Sequence, residues 1–136
     1  MIKMNEQVKE LLTKQRTIVL ATATLNGIPN VVPIHSKHII DDETIMITNQ
    51  FMDKTLKNMQ KNPQVAITFW EGIKGYQIKG NCVIENSGEL YEKAVSGVAA
   101  YAKSKNISLK CKGIILIKVT EVYDVSPGPN AGKLIN

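Results

Sequence analysis

The chain has 136 residues, 43% hydrophobic and 21% charged, a composition and length that fit one soluble domain with a core of its own. No apolar run approaches the ~20 residues of a membrane-spanning helix, and the charged opening Met1–Thr13 is not a signal peptide, so a cytoplasmic protein is expected. Cys82 and Cys111 have no CxxC spacing, which argues against a disulfide framework or zinc site, and the net charge of +5 falls evenly on the two halves, as +2 and +3. Sixteen of the 17 basic residues are lysine, leaving Arg16 alone to make the bidentate contacts that nucleic-acid readers favour. A single domain, 1–136, that does not bind nucleic acid is the expectation.

The first element is a helix. Asn5 caps it, Met4, Val8, Leu11 and Leu12 recur at helical spacing, and it ends near Arg16. Thr17–Thr24 reads as a strand, and Asn26-Gly27 as a two-residue hairpin turn. One long returning strand is expected over Pro29–Ile40, then a turn at Asp41-Asp42-Glu43 and a third strand over Thr44–Thr48. Asp53 is placed to cap a short helix with Leu56 and Met59 inward, stopped by Asn62-Pro63. Val65–Trp70 and Tyr76–Glu85 are the fourth and fifth strands, the latter with Ile78, Gly80, Cys82 and Ile84 on one face. A second full helix starts at Asn86 or Ser87 and buries Leu90, Ala94, Val98 and Tyr101. Gly113–Val125 is the sixth strand, and 126–136 is an irregular tail. Sequential strands with peripheral helices and no βαβ alternation give an α+β, mainly β class: a six-stranded antiparallel sheet bent into a small barrel.

Several motifs fail on spacing. Gly128-Pro-Asn-Ala-Gly132-Lys133 has three residues between its glycines where a phosphate loop has four, and Leu134 stands where Ser or Thr would hold magnesium. His35 and His38, three apart on a strand, point to opposite faces and do not chelate one metal, so no metal site is expected. No GxSxG or comparable nucleophile motif occurs, and no catalytic acid, base or nucleophile is assigned. The stretch that does carry a mechanism is Ile47-Thr48-Asn49-Gln50 leading into Asp53-Lys54-Thr55-Leu56-Lys57-Asn58. A strand end rich in hydroxyl and amide groups, a helix N-terminus and two lysines meet there, a combination that suits a phosphate.

The ordered set Ala21-Thr-Ala-Thr-Leu-Asn-Gly-Ile-Pro-Asn-Val-Val-Pro-Ile34, Ile47-Thr48-Asn49, Asp53–Met59, Lys61-Asn62-Pro63-Gln64-Val65 and a strand closing on Gly80 resembles the pyridoxamine 5′-phosphate oxidase-like, FMN-binding split-barrel superfamily. The resemblance covers residues 10–85 by motif and the rest by architecture. It implies a split β-barrel homodimer with FMN held at the subunit interface, acting as an oxidoreductase or electron carrier. It also implies a phosphate near Lys54, Thr55 and Lys57, the flavin ring along Val32, Pro33 and Ile34, and Thr48 and Asn49 at the ribityl or phosphate. Trp70 and Gln77 are further cofactor-binding candidates. Two departures stand out: Asp53 occupies the place of an arginine in the oxidase proper, and no Arg or His follows His38. The substrate-phosphate clamp is therefore absent, and the sequence is more similar to the small, substrate-unassigned branch. A deazaflavin on the same fold, or a non-catalytic haem- or nucleotide-binding dimer, is the alternative.

Overall fold

In the computed structural model, which describes residues 2–135, three helices flank one antiparallel sheet of eight strands. Helix α1 (Glu6–Lys14) begins as its sequence requires: Asn5 Oδ1 accepts from the Val8 amide at 2.9 Å, and Val8, Leu11 and Leu12 are buried. Strand β1 (Ile18–Ala23) pairs with β2 (Pro29–Ile34). The connection is longer than a two-residue hairpin turn. Only Gly27 takes a positive φ (89°), and Thr24 closes the loop by accepting from the Ile28 amide through its hydroxyl and from the Gly27 amide through its carbonyl.

The main departure from expectation concerns the strand foreseen over Pro29–Ile40. It breaks at His35-Ser36 into β2 and β3 (Lys37–Asp41), because β2 pairs with β1 while β3 pairs with β4 (Thr44–Asn49). The sheet order is β2-β1-β5-β6-β7-β4-β3, so the chain steps directly from one edge of the sheet to the other. The sheet therefore curls until its edges approach, without closing. Pro29 and Pro33 fit β2 because an edge strand has amide positions that the ladder does not use.

Helix α2 (Lys54–Lys61) buries Thr55 and Met59, with Leu56 only half-buried. Strands β5 (Gln64–Glu71) and β6 (Lys74–Glu85) form a hairpin turning at Gly72, and β6 carries a bulge at Lys79/Gly80 against β7 (Gly113–Asp124). Helix α3 (Glu89–Lys105) starts after Gly88, not on an Asn86 or Ser87 cap, and ends on Asn106 in the left-handed conformation. Its buried row is Ala94, Val98 and Ala102; Tyr101, expected inside, is 53% exposed. The tail is not wholly irregular: β8 (Lys133–Ile135) pairs with Val122–Asp124. Eight strands thus replace the six expected, one from the split of β2/β3 and one from β8.

The main core fills the concave side of the sheet with Ile18, Leu20, Ile45, Ile47, Ile67, Phe69, Ile78, Ile115 and Ile117, closed at one end by α1. A second cluster packs α3 on Met46, Ile114 and Leu116. Buried on both faces, β4 has every residue inside. Among the described residues no helix is long and apolar enough to cross a membrane.

Candidate functional site

A groove of about 1370 Å³ follows the β2–β3 segment where the sheet edges approach, bounded by the start of α2 on one side and by α3 on the other. Six of the ten residues expected to bind a cofactor line it: Val32, Pro33, Ile34, Thr48, Lys54 and Thr55. The other four lie elsewhere. Asn49 is buried beneath the β4–α2 loop, where its Oδ1 accepts from the Met52 amide at 2.9 Å. Lys57 points to solvent and pairs with Asp53 at 3.2 Å. Trp70 and Gln77 lie on the outer face of the sheet, in line with Thr68 across the β5–β6 ladder.

At the α2 end of the groove the helix N-terminus is open. Asp53 occupies the N-cap position, yet its side chain makes no capping bond and turns to Lys57 instead. The first amides of the helix consequently have no side-chain acceptor, which corrects the expected Asp53 cap. Thr55, the second residue of the helix, is 3% exposed, and its Oγ1 accepts from Asn30 Nδ2 at 3.0 Å. Asn30 also donates to Thr22 Oγ1, which Asn58 Nδ2 meets from α2 at 3.1 Å. This network fixes the helix on the β1–β2 hairpin and leaves the Thr55 proton free to donate. On the facing side, Thr48 donates to Ser36 Oγ at 2.7 Å and accepts from Gln50 Nε2 at 2.6 Å, tying the end of β4 to the step between the sheet edges.

Electrostatically the groove is cationic. Among the described residues Lys14, Arg16, Lys37, Lys54 and Lys93 line it, against Asp53 as the sole carboxylate. Lys14 is paired with Glu71 at 2.7 Å, and Lys37 donates to the Gln15 carbonyl, burial pushing its ammonium below the ordinary lysine range. Among the described residues Arg16 and Lys54 enter no ion pair, so both charges are available. His35 also lines the groove and contacts Thr17 Oγ1 through Nδ1 at 3.0 Å. No cluster of three or more metal-ligating side chains occurs among the described residues.

Sequence reasoning missed Asn30, Ser36, Arg16 and the α3 wall. Asn30 lay within the hairpin motif but carries no signal until its partner Thr55 is seen across the turn. Arg16 and α3 reach the groove only through tertiary packing.

A family model described as pyridoxamine 5′-phosphate oxidase matches residues 4–126. The chain belongs to this family. An uncharacterized protein of Methanocaldococcus jannaschii is 38% identical over 138 residues, covering 98% of this chain and 89% of its own. The structure of HupZ from Group A Streptococcus superposes with a TM-score of 0.78 at 27% identity, covering 97% of this chain and 100% of that one. An FMN-binding protein from Syntrophomonas wolfei shares the fold at TM-score 0.72 and 19% identity, over 85% of this chain and 81% of that one. An F420 reductase and the Vibrio cholerae haem storage protein HutZ share the fold at TM-score 0.64, at 18% and 17% identity over 87% and 90% of this chain. These last three structures, all at 19% identity or lower, share the fold of this chain.

Proposed function

We propose that this chain is an FMN-binding flavoprotein, an oxidoreductase or electron carrier, with the flavin phosphate at the start of α2. The observation that carries the reading is the unfilled N-terminus of α2, opening with Lys54 and the free Thr55 proton onto the groove. Unpaired amides, the positive end of the helix dipole and an unpaired ammonium converge there, and such sites take phosphate. Beyond it, the edge strand β2 offers Val32, Pro33 and Ile34 as an apolar wall with unladdered backbone groups, suited to one side of a flat heteroaromatic ring. When bound, the flavin supplies the redox chemistry, and the chain orients it and limits water around it.

The groove is open, and a second copy of the chain closes it in this reading. The support is the outer sheet face. Val31, Ala21 and Ala66 stand side by side across β2, β1 and β5, with Val31 64% exposed, and Trp70, on the same face four residues along β5 from Ala66, is 52% exposed. An uncovered apolar patch on a sheet is the signature of an interaction surface. Packing there brings Trp70 and Gln77 into the interface, the role open to them, since neither lines the groove of its own chain.

A deazaflavin is the second reading, favoured by the extension of the groove from α2 toward Lys93, which suits a longer anionic tail. The visible absorption spectrum of the purified protein, before and after FMN addition, tests both. A flavin spectrum that stays with the protein through gel filtration supports FMN; a protein that stays colourless with FMN present contradicts it.

A further inference from the structure

Gly97 stands in the middle of α3, where glycine weakens a helix relative to alanine. Neither backbone nor packing explains it. Its φ is not among the positive ones, and a Cβ added there would meet nothing within 4 Å. Gly97 lines the groove, and so do Lys93 and Tyr101, one turn to either side of it. This row does not hold α3 to the sheet, since Ala94, Val98 and Ala102 do that from the adjoining stripe. The helix therefore presents to the groove a notch floored by its own backbone, with an ammonium at one end and a phenol ring at the other. Tyr101 is 53% exposed, and among the described residues its hydroxyl has no partner. Lys93 is held only by Glu89, at 3.4 Å between two exposed side chains, an ion pair that a bound anion displaces readily.

We propose that this notch binds a planar aromatic ring carrying one carboxylate or sulfonate, and that such an aromatic anion is the class of second reactant the groove accepts. The ring lies over Gly97, where any side chain would occupy its place, with Tyr101 against its edge and the anionic group toward Lys93. Its role as a reactant rests on the flavin reading, whereas the binding does not.

The test uses the full chain and two fluorescent probes of one shape, 8-anilino-1-naphthalenesulfonate and its uncharged counterpart N-phenyl-1-naphthylamine. Gly97→Leu, a change that improves helix propensity, is expected to weaken both probes at least tenfold, with the thermal midpoint not lowered and FMN affinity unchanged. Lys93→Met is expected to weaken the sulfonate tenfold and spare the neutral probe. The proposal is overturned if Gly97→Leu leaves sulfonate binding unchanged, or if Lys93→Met weakens both probes alike. Probe binding that depends on Gly97 and Lys93 in a chain that takes up no FMN upholds the notch while sinking the flavin reading.

Discussion

At the residue scale, Lys54 differs from the other groove lysines in standing on the first turn of a helix whose amides are open, and in being held by neither a carboxylate, as Lys14 and Lys93 are, nor a carbonyl, as Lys37 is, among the described residues. A charge-assisted bond to phosphate contributes about 1.5–3 kcal/mol, so Lys54→Ala is expected to weaken FMN binding roughly tenfold to a hundredfold. Fluorescence titration measures it, and an unchanged affinity removes Lys54 from the site. Lys57, already held by Asp53, gives a matched control, with Lys57→Ala changing affinity little. Two glycines separate in the same way. A Cβ on Gly80 would lie 2.5 Å from the Lys118 carbonyl oxygen and 2.8 Å from Ile117, at the bulge of the longest ladder. Rigid backbone cannot retreat, so Gly80→Ala is expected to cost about 1–3 kcal/mol in urea unfolding. The nearest obstacle at Gly113 is the Asn86 side chain, also at 2.5 Å, which can swing away. Gly113→Ala should therefore be the milder change.

At the scale of elements, two turns depend on carboxylates. Asp41 accepts from the Glu43 amide at 2.8 Å in the β3–β4 turn, and Asp124 from the Ser126 amide at 2.7 Å where the chain leaves β7 for β8. These amide bonds, ahead of other contributions, hold both carboxyls below their ordinary 3.8. A folded value below the unfolded one gives stability that is full above about pH 4 and is lost as pH falls through the folded value. The thermal midpoint is expected to drop on acidification below about pH 4, and Asp124→Asn to flatten that drop. An equally steep acid limb in the variant contradicts the assignment. Elements were legible wherever periodicity carried them: α1, β1, β5 and β6 lie within a few residues of where Val8, Leu11 and Leu12 or the β-branched runs put them. The break at His35-Ser36 was not, because nothing in Pro29–Ile40 distinguishes one strand from two until sheet order sends its halves to opposite edges. Spacing alone puts Tyr101 inside, but the one-residue rotation of α3 buries Ala102 instead. The residue type of Asp53 suits a cap, but its side chain pairs with Lys57 and makes no capping bond.

At the scale of the molecule, one curled sheet and three helices leave an open groove along the β2–β3 step. The α2 end of the groove is legible in Thr48–Asn58 because those residues are close in sequence; the α3 wall and Arg16 are not, since only tertiary packing brings them to the groove. The spread of +5 over the chain hid a local excess: five cations line the groove against one carboxylate. If a second copy packs on the outer face of the sheet, Val31→Lys places a charge in that contact without touching the groove. Analytical ultracentrifugation is expected to show a monomer, with FMN affinity reduced alongside. A variant that sediments as the wild-type chain does would remove this face as the interface.

If α2 receives a flavin phosphate, FMN and riboflavin, which lacks that phosphate, differ in their affinity for the chain. Titrated calorimetrically against the wild-type chain, FMN is expected to bind at least tenfold more tightly than riboflavin, with Lys54→Ala closing most of the gap. Equal affinities for the two flavins, or a gap untouched by Lys54→Ala, would contradict the account.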